Sequence, residues 1–115
     1  KMNFLDGKLD NGNVQVAGSP VQLQRAVGAN GAPVTFGVRP EHITLREGGG
    51  VPLAEVTVDL VEQLGGATML YTTTTDNQPL TIAVDGQRDV QLGATIGAYV
   101  DPARYHVFGA DGQVL

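Results

Sequence analysis

Apolar residues in this chain recur at every second position, in short runs cut off by turn residues, and that pattern admits few folds. NVQVAG (13–18) sets Val14 and Val16 on one face, and VTFGV (34–38) does the same with Val34, Phe36 and Val38. AEVTVDLV (54–61) turns Val56, Val58 and Leu60 one way and Glu55, Thr57 and Asp59 the other. VQLQ (21–24), TMLYTTTT (68–75), LTIAV (80–84), IGAYVD (96–101) and HVFGADGQVL (106–115) complete the set. A period of two marks a strand with one buried face, because successive side chains point to opposite sides of a sheet. Between the runs lie Asp10-Asn11-Gly12, Ala29-Asn30-Gly31, Asp76-Asn77, Asp85-Gly86 and Asp111-Gly112. Gly, Asn and Asp accept the positive φ that tight turns require. The expected fold is all-β, with short strands closing into a barrel or a sandwich. Alternation alone does not choose between the two.

The alternation breaks at Leu60-Val61, before Gln63-Leu64-Gly65-Gly66, which predicts a bulge followed by a tight turn. No long amphipathic helix is visible. PARYH (102–106) predicts a single helical turn, with Asp101 as its cap and Pro102 at its first position. Residues 20–28 read as one short turn or a strand.

A chain of 115 residues makes one domain, 1–115, and 42% hydrophobic content makes it globular. No apolar run approaches the roughly 20 residues that a membrane-spanning helix needs. Net charge is −5, and the seven Lys and Arg are scattered. Nucleic-acid binding requires a basic face to meet phosphates, so that class is disfavoured. With three Tyr, three Phe and no Trp, a base-stacking platform is equally ill supplied. No leader segment opens the chain, and Lys1 stands where an initiator Met would be, so a fragment of a longer protein is expected.

Catalytic chemistry finds little to work with. The chain has no cysteine, and its one serine, Ser19, sits in a Gly-Ser-Pro turn without a base beside it. His42 and His106 are far apart in sequence, and no spacing announces the convergent ligands of a metal site. Gly48-Gly49-Gly50 and Gly65-Gly66 lack the Lys-Ser/Thr and helix of a phosphate-binding loop. The carboxylate pairs Asp59/Glu62 and Asp85/Asp89 read as a solvated face, one that can also meet a partner. Threonines 72 to 75 are explained by strand propensity.

Directly after VTFGV comes Arg39-Pro40-Glu41-His42. Pro40 removes a backbone donor, fixes φ and holds Arg39 extended, so the strand must end there. Arg39 at that end is placed to reach a nearby carboxylate or carbonyl with its planar fork. These residues make a structural corner rather than a reaction centre.

Four segments carry a family resemblance: Lys1-Met2-Asn3-Phe4-Leu5, FGVRPEHI (36–43), VDLVEQLGGATMLY (58–71) and DPARYHVFGADGQVL (101–115). In this order the sequence resembles the C-terminal regulatory domain of ATPase subunits of sugar-importing ABC transporters, the maltose, trehalose and glycerol-3-phosphate importer class. The resemblance implies an OB-like β-barrel of the TOBE type and a non-catalytic role. ATP and Mg²⁺ would bind in the missing N-terminal domain, and no cofactor is expected in this fragment. It implies a homodimer with a second copy of the same subunit, membrane permease partners reached through the parent chain, and in some members a regulatory protein. It also implies a cytoplasmic location, peripheral to the inner membrane. It places subunit contacts at His106, Val107 and Phe108 and near the corner of Arg39, Pro40, Glu41 and His42. The alternatives are a molybdate-type oxyanion binder of the same fold, an OB-fold oligonucleotide binder and, last, an enzyme in its own right.

Overall fold

In a computed structural model the chain is all-β, and the structure describes residues 2–17, 19–22, 29–45, 50–86 and 89–115. The strands are β1 (Asn3–Asp10), β2 (Asn13–Val16), β3 (Ser19–Gln22), β4 (Pro33–Val38), β5 (Ile43–Thr44), β6 (Val51–Gln63), β7 (Ala67–Thr74), β8 (Pro79–Asp85), β9 (Thr95–Val100) and β10 (Tyr105–Phe108). A single 3₁₀ turn, Pro40–His42, separates β4 from β5. Among the described residues no helix is long and apolar enough to cross a membrane.

Two five-stranded antiparallel sheets result. Sheet A has the order β10-β4-β1-β2-β3 and sheet B the order β5-β9-β6-β7-β8. β5 and β8, the two edges of sheet B, approach each other, so that sheet curls towards closure. The inward residues of both sheets fill one core, which includes Leu5, Phe36 and Val38 from sheet A and Leu53, Leu70 and Ile82 from sheet B. Alternation leaves barrel and sandwich open; the curled sheet B and the shared core give the barrel-like form that the resemblance implies.

Most of the expected strands are present with shifted ends. The expected 54–61 runs from Val51 to Gln63, and the bulge falls at Asp59, between the paired residues Val58 and Leu60, rather than at Leu60-Val61. The tight turn after it closes through the Leu64 N–H donating to the Ala67 carbonyl at 2.8 Å. Asn11 (φ 49) and Gly12 (φ 87) form the two-residue turn joining β1 to β2, the left-handed pair that matches strand twist. Gly50 is held at φ +138, where an added Cβ would lie 2.0 Å from the Val100 carbonyl oxygen.

Two expectations are corrected, and one strand is new. PARYH is not a helical turn. Asp101 does cap it, accepting from the Ala103 N–H at 2.9 Å, but the chain makes a β-turn closed by Arg104 N–H to Asp101 carbonyl, and Tyr105 and His106 already belong to β10. The final strand stops at Phe108. Residues 109–115 then turn back on it, with Leu115 N–H donating to the Val107 carbonyl and Val114 bridging Phe108. The first strand, β1, lies where no alternating run was read. Of residues 20–28, Pro20–Gln22 belong to β3 and 23–28 lie outside the described residues.

Side chains stitch the sheets at their ends. The Asn3 carboxamide donates to the Thr81 carbonyl at 2.8 Å and accepts from the Thr81 N–H at 2.9 Å. It thereby occupies the outer edge of β8 as a neighbouring strand's peptide would. Gln78 Oε1 accepts from the Asp6 N–H at 2.7 Å alongside it.

Candidate functional site: the outer face of sheet A

The corner is built as its residues dictate. Arg39 is extended (φ −75, ψ 144), Pro40 opens the 3₁₀ turn with its ring buried, and Ile43 N–H returns to the Pro40 carbonyl. Arg39 itself stands at the surface. Among the described residues its guanidinium holds no carboxylate. Among the described residues, the proline and the backbone bond from Ile43 to Pro40 are what shape the corner. Glu41 points to solvent. His42 is half-buried, and its Nδ1 is buried without a hydrogen-bond partner among the described residues.

Register brings the corner beside the second predicted segment. Val38 pairs with Tyr105 and Gly37 with His106, so Arg39 leaves β4 next to the start of β10. The two segments named as interface candidates therefore share one end of sheet A. The parity of β10 divides the second of them. Val107 is only 6% exposed and lies opposite Phe36 in the core. Its side chain has no surface to offer a partner. His106 and Phe108 point outward.

Those outward residues join others that no sequence run announces. Gly37 stands between Phe4 on one side and His106 on the other. A Cβ at Gly37 would come within 2.9 Å of Met2 Sδ and of Phe108 Cε2, so both side chains lean over its bare backbone. The Phe4 and Phe108 rings lie 6.2 Å apart at 58°, within the usual range for tilted aromatic pairs. Phe108 and His106 are also 6.2 Å apart. Phe4 nevertheless remains 58% exposed. The result is a sulfur and aromatic patch, open to solvent, seated in the notch that a glycine leaves. Besides the resemblance, which names His106 and Phe108, the sequence signal for it is a glycine inside a strand, which marks close approach.

The remaining candidates do not converge on this patch. Asp59 accepts from the Thr73 hydroxyl at 2.5 Å and Glu62 from the Tyr71 hydroxyl at 2.9 Å, both on the outer face of sheet B. The Glu62 carboxylate holds the Tyr71 phenol above its ordinary pKa of 10.0, chiefly by accepting its proton in a hydrogen bond. An open groove of about 690 Å³ runs along the seam between β5 and β8, lined by residues that include Ile43, Leu45, Val84, Glu41 and Asp85. Among the described residues no group of three or more His, Cys, Asp or Glu is placed to hold a metal ion. Ser19 opens β3.

Comparison with known proteins bears on this geometry. A family model described as the TOBE domain matches residues 36–108, and one described as the MalK OB fold domain matches residues 1–43. The sn-glycerol-3-phosphate import ATP-binding protein UgpC of Psychromonas ingrahamii is 32% identical over 119 residues, covering 96% of this chain and 31% of its own length. The alpha-glucoside transport ATP-binding protein AglK of Rhizobium meliloti is 36% identical over 85 residues, covering 73% of this chain and 23% of its own. The oligosaccharides import ATP-binding protein MsmX of Bacillus subtilis is 27% identical over 124 residues, covering 98% of this chain and 34% of its own. The chain thus spans about a third or less of the length of these relatives. Among solved structures, the cytoplasmic molybdate-binding protein ModG has the same fold, with a TM-score of 0.71 over 91% of this chain and 94% of that one. At 15% identity that likeness concerns the fold alone.

Proposed function

This chain belongs to the TOBE-domain family, and from that premise we propose that it is the C-terminal regulatory domain of an importer's ATP-binding subunit. The parent imports a carbohydrate or glycerol-3-phosphate, as the names of the relatives suggest. The domain carries out no chemistry itself. ATP and Mg²⁺ bind elsewhere in the parent, whose permease partners hold it at the cytoplasmic face of the inner membrane. Its task is to hold two subunits together while their nucleotide sites open and close, and to receive a regulatory protein on a face that pairing leaves free.

The observation that carries the pairing is the exposed patch of Met2, Phe4 and Phe108 over Gly37. Exposed aromatic side chains backed by a rigid sheet lose little entropy on association, and buried aromatics dominate interface energies. A two-fold pair would use this patch on both copies, each Phe4 and Phe108 meeting its counterpart. Tethering then makes reclosure of the nucleotide sites an intramolecular event at high effective concentration.

Analytical ultracentrifugation of the domain over a wide concentration range tests the reading. Phe4→Ala and Phe108→Ala should each weaken the dimer about 30-fold, the equivalent of losing a hot spot of about 2 kcal/mol. A strict monomer, or a dimer indifferent to both changes, would remove this patch as the pairing surface.

A further inference from the structure

The segment VDLVEQLGGATMLY (58–71) finds no use in the pairing patch, since it forms the β6–β7 hairpin of the other sheet. The bulge at Asp59 resets its faces. Beyond it Leu60 lies opposite Tyr71, and Glu62 opposite Met69, on the outer surface of sheet B. Leu60 is 55% exposed. An exposed leucine alone is ordinary. This one sits beside Tyr71 and Met69, which widen it into an apolar strip on the outer face of the sheet.

The charges along the strip are of one sign. Glu55, Asp59 and Glu62 all point outward from β6. Asp59 and Glu62 are engaged by the neutral hydroxyls of Thr73 and Tyr71, and Glu55 is free among the described residues. None of the three carboxylates meets a described cation. Those cations lie elsewhere: Lys8 on sheet A, Arg39 at the corner, and Arg104 beside Asp101. A water-exposed apolar centre flanked by Asp59 and Glu62, neither paired with a cation among the described residues, is complementary to an apolar side chain ringed by Lys and Arg. The same charges repel nucleic acid and anionic lipid, which leaves a protein as the occupant.

We infer that the outer face of the β6–β7 hairpin docks a protein surface in which basic residues surround an apolar anchor, the anchor packing on Leu60, Tyr71 and Met69. This rests on the regulator-docking part of the proposed function and is independent of pairing through sheet A. Basic flanks steer the encounter and fix orientation, while the apolar contact sets residence time. The hydrogen bonds to Thr73 and Tyr71 hold the two carboxylates in place beforehand.

The test is an NMR titration of the isotope-labelled chain with an amphipathic Leu/Lys helical peptide, beside an all-Lys peptide of equal length and charge. Expected are shift changes centred on Asp59, Leu60, Glu62, Met69 and Tyr71. Leu60→Ala should weaken binding about tenfold, near 1.4 kcal/mol. The all-Lys peptide should bind at least about tenfold more weakly, and added salt should weaken both. Equal binding of the two peptides would reduce the effect to bulk charge and overturn the inference. Shifts centred on Phe4 and Phe108 would overturn it too, while leaving docking on the domain intact. No binding at all would rule out basic–apolar chemistry for the partner and leave a regulator of other chemistry open.

Discussion

Tyr71 and Glu62 show how a single exposed pair sets a titration. The Tyr71 hydroxyl donates to Glu62 Oε1 at 2.9 Å, so removing its proton both breaks the bond and sets a phenolate against a carboxylate. The folded pKa is therefore raised above the ordinary 10.0, and the folded state holds that proton more tightly than the unfolded chain does. The stability so gained is fully present below pH 10 and is lost as pH rises through the raised value. Glu62→Gln keeps an acceptor but removes the charge, and should bring Tyr71 back towards its ordinary range in an alkaline ultraviolet titration. Tyr105 supplies an internal control, because burial is what raises it, and it should not move. If Tyr71 titrates the same in both proteins, the hydrogen bond is not made in solution.

β1 shows what hides a strand from its own sequence. Its sequence NFLDGKLD buries Leu5 and Leu9 on one face, but Gly7 stands between them and an apolar Phe4 on the other face blurs the contrast. Alternation is legible where β-branched residues fill both parities, as in β6, β7 and β8, and illegible where a glycine supplies an inward position. Two-residue β5 is too short to carry a period at all. The β-turn at Asp101 reads as helical in the sequence because a cap and a proline serve both structures at their first step. The next residues decide between them, and here Tyr105 is drawn into β10 against β4 and packs its ring 4.7 Å from Phe36. Edges are managed by side chains and tails. Asn3 closes β8 at Thr81, and residues 109–115 close β10. Asn3→Ala removes both bonds to the Thr81 peptide and should lower stability by about 1–2 kcal/mol, seen as a lower urea midpoint at unchanged slope. An unchanged midpoint would mean that water replaces the amide without cost.

The candidate patch belongs to the whole molecule, which is why little of it could be read from the chain. Met2, Phe4, Gly37, His106 and Phe108 meet only because β1 and β10 flank β4, a neighbour relation that no local pattern encodes. The resemblance named His106, Val107 and Phe108 together, since a motif does not state which parity faces the core; Val107 lies inward and the other two outward. The shared core has a further consequence. Leu5 is fully buried and lies opposite Phe36 in sheet A, within a cluster that also contains Leu70 and Ile82 of sheet B. Leu5→Ala should therefore cost about 2–5 kcal/mol, the range for a large-to-small change in a close-packed core. The loss should appear equally in both sheets. Single-tyrosine variants retaining either Tyr105 in sheet A or Tyr71 in sheet B should report one common urea midpoint, lowered by the same amount. Two separate midpoints would make the sheets independent units. A common one makes the two sheets a single cooperative unit, so that a contact stabilising sheet A also stabilises the surface that sheet B offers.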